Sequence, residues 1–168
     1  MKQDNVLYLQ FADGQEEAFE IIFPEFSFWF VYEELEDEEP AKDEHGENIG
    51  EIKITIRTEK ALHPNPELGP ARLHPPRLDM HPRMSGESLM LYPGKIRQLP
   101  TSSPFHLDPI HNSLFYRGHY GKIENIEAEV LRSEGDDYRM HFTADGILAA
   151  LGTAPIHLEA IVDLKFSI

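Results

Sequence analysis

Glu51-Ile52-Lys53-Ile54-Thr55-Ile56-Arg57 is the stretch whose reading decides the fold. Ile52, Ile54 and Ile56 alternate with polar neighbours. Successive side chains of a strand leave on opposite faces, so a period of two marks a half-buried antiparallel strand with one face in a core and one in water. The same alternation returns at the far end of the chain, in Ile156-His157-Leu158-Glu159-Ala160-Ile161-Val162-Asp163-Leu164-Lys165-Phe166.

Working outward, the opening run Val6-Leu7-Tyr8-Leu9-Gln10-Phe11 is bounded by the turn pair Asp13-Gly14, and residues 26–32, dense in Phe, Trp and Tyr, read as a core strand. Residues 16–23 fit either a strand or one or two helical turns, and Pro24 is expected to end them. Further along, residues 113–120, 123–131 and 138–142 form a meander of neighbouring antiparallel strands, with turn signals at Gly121 and at Gly135-Asp136-Asp137. Residues 144–151 suggest one short helix, since Ile147, Leu148 and Leu151 recur at helical spacing and Gly152 stands at the place of a cap. The expected fold is mainly β: an antiparallel β-sandwich or partly closed barrel with at most one short helix. All 168 residues are expected in a single domain.

Two segments interrupt this pattern. Between residues 33 and 51 stand ten acids and one fixed cation, Lys42, so the segment from 33 to 47 reads as a solvated loop with a turn at Asp43-Glu44-His45-Gly46. Ten of the 13 prolines fall between residues 60 and 109, which excludes regular helix from most of that Pro- and His-rich insertion, broken by one short strand at 88–92. A loop of that length inside a compact domain is uncommon and often functional.

Composition excludes several chemistries. Without cysteine there is no disulfide, no thiolate nucleophile and no Cys-ligated metal centre. The opening Met1-Lys2-Gln3-Asp4-Asn5 lacks the basic and apolar regions of a secretory leader, and no window approaches the ~18 apolar residues of a membrane span. The expected location is therefore the cytoplasm. Thirty acidic against 15 basic residues leave a formal charge of −15. A field of that sign repels phosphate backbones and anionic lipid, so neither nucleic acid nor membrane is an expected partner. It steers basic partners instead.

Three constellations bear on chemistry. Three His-Pro pairs, at His63, His74 and His81, offer imidazoles on a stiffened loop, but at spacings of no standard zinc or nickel site. Residues 57–97 hold seven basic residues against four acids. The insertion at 60–109 is thus locally cationic and suited to folding back onto the acidic segment of its own molecule or a neighbour's. The third constellation is His106-Leu107-Asp108 with His157 far downstream. Two histidines and a carboxylate can hold Fe(II) on one face, with Zn(II) a possible substitute.

That H-x-D and distant histidine resemble the ligand pattern of the 2-oxoglutarate-dependent oxygenases, whose fold is a double-stranded β-helix. The resemblance implies His106, Asp108 and His157 as ligands and Lys165 as holder of the co-substrate carboxylate. The favoured expectation lies elsewhere: a non-enzymatic, acidic interaction module without cofactor, similar in character to small bacterial immunity or inhibitor proteins. Its partner would be a protein with a basic surface, met by Glu36, Asp37, Glu38 and Glu39, or a second copy met through the 60–109 insertion.

Overall fold

The alternation of Ile54 and Ile56 is realised in a strand of a single sheet that closes on itself. The computed structural model describes residues 2–30, 32–34, 36–46, 48–63, 75–80, 83–85, 98–99, 113–135, 137–149, 152 and 154–167. Its strands are β1 (Val6–Gln10), β2 (Glu16–Phe30), β3 (Ile49–His63), β4 (Arg77–Met80), β5 (Arg83–Ser85), β6 (Gln98–Leu99), β7 (Ser113–Tyr116), β8 (His119–Glu134), β9 (Asp137–Ile147) and β10 (Ile156–Ser167). From β1 through β2, β3, β4, β7, β8, β9 and β10 back to β1, every neighbouring pair is antiparallel. Eight strands therefore close into a barrel, with β5 added beside β3 and β6 beside β8. Closure removes the open edges that a sheet otherwise presents to other chains.

An eight-stranded barrel has an interior about wide enough for side chains to fill. That is the case here. Leu7, Leu9, Phe19, Ile54, Ile56 and Met80 from one side meet Leu114, Tyr116, Met140, Phe142, Leu158 and Val162 from the other in one continuous core. The interior space left among Leu7, Ile56, Leu78, Phe142 and Leu158 is about 10 Å³, no more than one water needs. Each fully buried Leu, Ile or Phe contributes roughly 1.5–3 kcal/mol. Outward positions carry the charge, as in Arg139, His141, Asp145, His157, Glu159, Asp163 and Lys165 along β9 and β10. That wall is polar and charged along its length.

Two asparagines in the left-handed region shape the closure. Asn5, at φ 57°, sits just before β1 begins, at the tip of the wedge that this short strand drives between β2 and β10. Its backbone N–H donates to Ile161 and its carbonyl accepts from Ile21. Its side-chain oxygen accepts from the Asp163 N–H at 3.0 Å. Beyond it β2 and β10 pair directly and in parallel, at Phe26–Phe166 and Ser27–Ser167. Asn125, at φ 53°, forms a bulge in β8 that lets both Ile123 and Ile126 turn inward. Asn tolerates this conformation far better than a branched residue does.

Three expectations need correction. Pro24 does not end a strand: β2 runs through it from Glu16 to Phe30, because the register with β3 shifts between Ile22 and Glu25 and the bulge removes the need for a ladder N–H. Residues 144–147 belong to β9 and are not helical. Ala144 and Gly146 are the inward positions there, and Leu148 follows them into the barrel's end while Ile147 faces out. Gly121 lies inside β8, and the turn is the two-residue Arg117-Gly118, both at positive φ. The proposed strand at 88–92 and most of the 60–109 insertion lie outside the described residues.

Candidate functional site

Strand direction sorts the connections between the two barrel ends. The β1–β2 hairpin, the Arg117-Gly118 turn and the β9–β10 connection lie at one end; the β2–β3 loop, the β8–β9 hairpin and the end of β10 lie at the other. The first end is plugged by Leu148 and by a buried polar cluster. Glu17, wholly buried, accepts a hydrogen bond from the Tyr116 hydroxyl and one from the Arg117 guanidinium at 3.0 Å. Arg117 Nε donates to the Tyr116 oxygen at 2.7 Å. Burying a carboxylate is tolerated only with such charge-assisted partners. Glu17 carries only a faint mark in the sequence. Its signal was parity, since Glu17 shares the face of Phe19 and Ile21.

The other end carries the acidic loop. Short turns hold its backbone: the Asp37 carboxylate accepts from the Glu34 N–H, the Asp43 carboxylate from the His45 N–H, and Ala41 and Ile49 hydrogen-bond as the chain enters β3. Glu36, Asp37, Glu38 and Glu39 are all exposed. Among the described residues none forms an ion pair with Glu33, Glu36, Glu38 or Glu39. Those four acids, with Asp37, make a concentrated anionic surface on a backbone held by turns.

Beside it, at the same end, Arg132, Glu134, Asp137, Asp163 and Lys165 border a groove of about 350 Å³ on the barrel wall. Arg139 bridges Asp163 and Asp4, donating to Asp163 at 2.9 and 3.1 Å. The hydrogen bonds from Arg139, and then from Asn5, hold the Asp163 carboxyl below its ordinary range against the opposing effect of burial. A depressed carboxylate contributes stability above its unfolded-state pKa and loses it as pH falls through the folded value. Asp163→Asn is therefore expected to be less stable than the parent at neutral pH and to converge with it in acid. Urea midpoints measured across that range check this.

His157 faces outward from β10, with Nδ1 3.5 Å from Asp145, and His141 pairs with Glu159 at 2.9 Å. Lys165 is exposed on the same strand. His106 and Asp108 lie outside the described residues, as do His74 and His81. Among the described residues no three His, Asp or Glu side chains are grouped to hold a metal ion. Nor, among those residues, is any helix long and apolar enough to cross a membrane. Compared with protein-family models, curated proteins and solved structures, the chain matches none.

Proposed function

We propose that this chain is a protein-interaction module that acts through the outside of a filled barrel, with the acidic β2–β3 loop as its contact element. One observation carries the reading: Glu36, Asp37, Glu38 and Glu39 are exposed together on a loop whose backbone is held by its own turns. A formed loop loses less conformational entropy on binding than a mobile one. The partner is a protein with a basic surface, and the anionic field speeds encounter with it.

Hydrogen exchange of the full chain with and without saturating oligolysine tests the location. The expected result is slowed exchange in the amides of residues 32–48. Protection confined to the acidic wall around Glu124, Glu127 and Glu159 would contradict it.

A further inference from the structure

On the opposite side of the charge ledger, the register brings cations and aromatic rings into one stripe on the outer wall. Arg57 of β3 pairs with Arg77 of β4, Arg77 with Phe115 of β7, and Phe115 with Tyr120 of β8. Lys122 follows two residues along, opposite Ser113. Strands lie about 4.8 Å apart, so the row is about 14 Å wide.

Tyr120 is 78% exposed and rests on the Phe115 ring at 4.8 Å between centroids. Arg57 and Lys122 are exposed and form no ion pair among the described residues; Arg77 is paired to Asp79 at 2.9 Å. An exposed tyrosine stacked on a second ring, with arginine at the far side of that ring, has the Tyr and Arg content enriched in contact surfaces. Here it stands on a chain of charge −15.

We infer that the basic surface this loop meets is carried by a second copy of the same chain: two molecules form a two-fold dimer in which each acidic loop lies across the other's stripe. This rests on the reading of the loop as the contact element. Charge complementarity supplies the choice of occupant, because the acids Glu33, Glu36, Glu38 and Glu39 and the cations Arg57 and Lys122, none of them in an ion pair among the described residues, belong to one molecule. In a two-fold arrangement residue i meets j and j meets i, so both loops and both stripes are used and the assembly closes at two. Repulsion between the two net charges is screened beyond about 8 Å at physiological ionic strength, whereas pairs in contact are screened much less.

Sedimentation velocity of the full chain at about 0.15 M salt, over micromolar to submillimolar concentration, is the test. The parent is expected to dimerise. A stripe variant, Arg57→Glu with Lys122→Glu, and a loop variant, Glu36→Gln with Glu38→Gln and Glu39→Gln, are each expected to weaken the dimer at least about tenfold. An equimolar mixture of the two is expected to associate more tightly than either alone, because one intact loop then meets one intact stripe; this also shows that both variants are folded.

A parent that remains monomeric throughout, or a stripe variant that dimerises like the parent, overturns the inference. If oligolysine nevertheless protects residues 32–48, the loop's role survives and only the second copy is lost. If neither dimer nor protection is seen, both fall.

Discussion

Glu17→Gln is expected to destabilise the barrel by about 3–5 kcal/mol, the usual consequence of removing one partner of a buried ion pair. Glu17 is fully buried and the Arg117 side chain is 10% exposed, so the guanidinium left behind keeps its charge with little water to solvate it. The Tyr116 hydroxyl loses its ionised acceptor in the same step.

The turn beside it carries a strain of its own. Arg117 holds φ 51° in a two-residue turn where Asn or Gly is the usual choice, a conformation costing a side chain like arginine about 1–2 kcal/mol. In that conformation its guanidinium reaches Glu17 at 3.0 Å. Adding Arg117→Asn to Glu17→Gln is therefore expected to return part of the loss, as removing the stranded charge also relieves the turn. Thermal unfolding of the two single variants and the double variant measures the coupling. For a chain of this size a loss of 3–5 kcal/mol lowers the midpoint by roughly 6–20 °C. Additive losses would show that the pair does not act as a unit.

Gly121→Ala is the second large effect, expected to cost about 3 kcal/mol or more, at or beyond the upper end of ordinary overpacking. A Cβ at Gly121 would lie 2.1 Å from the Ile147 carbonyl oxygen and 2.7 Å from Leu148 Cδ2. The carbonyl cannot swing away, because Ile147 is paired with Lys122 in the β8–β9 ladder and Leu148 plugs the barrel's end. Gly146→Ala provides the comparison. Its Cβ would meet Leu114 Cδ2 at 2.7 Å and Leu158 Cδ1 at 3.3 Å, side-chain ends and not backbone. The Gly146 variant should therefore lose less than half as much in chemical denaturation. Equal losses would mean that backbone approach is not what requires glycine at position 121.

Much of the barrel was legible because its strands have one dry face and one wet face. Residues 51–57 and 156–166 announce themselves by alternation, and β9 shows inward Tyr138, Met140 and Phe142 between polar neighbours. Which strands pair is not written in alternation. β1 must meet both β2 and β10, and β4 must meet β7 across more than thirty residues, so the choice between sandwich and closed barrel depended on long-range pairing.

Where the strands depart from expectation, the causes are local. Small inward residues, Ala144 and Gly146, broke the apolar signal of β9 and let Ile147 and Leu148 imitate helical spacing. A bulge absorbed Pro24 without ending its strand. The acidic loop was legible as a charge run, whereas the stripe from Arg57 to Tyr120 was not: its members are 63 residues apart at the extremes and only the strand register aligns them. The H-x-D arrangement of His106, Asp108 and His157 has one described member, His157, paired with Asp145 on the outer wall.

On the proposed function the acidic loop, and not net charge alone, makes the contact. Two variants with the same net charge test it most directly: one with Glu36, Asp37, Glu38 and Glu39 changed to their amides, the other with Glu124, Glu127, Asp145 and Glu159 so changed on the β8–β10 wall. Stopped-flow association rates with one folded cationic protein are compared across ionic strength. The loop variant is expected to associate about tenfold more slowly at low salt, within the range electrostatic steering spans, while the wall variant stays close to the parent. Equal slowing of the two would contradict the account, leaving the loop no more than a share of the protein's overall charge.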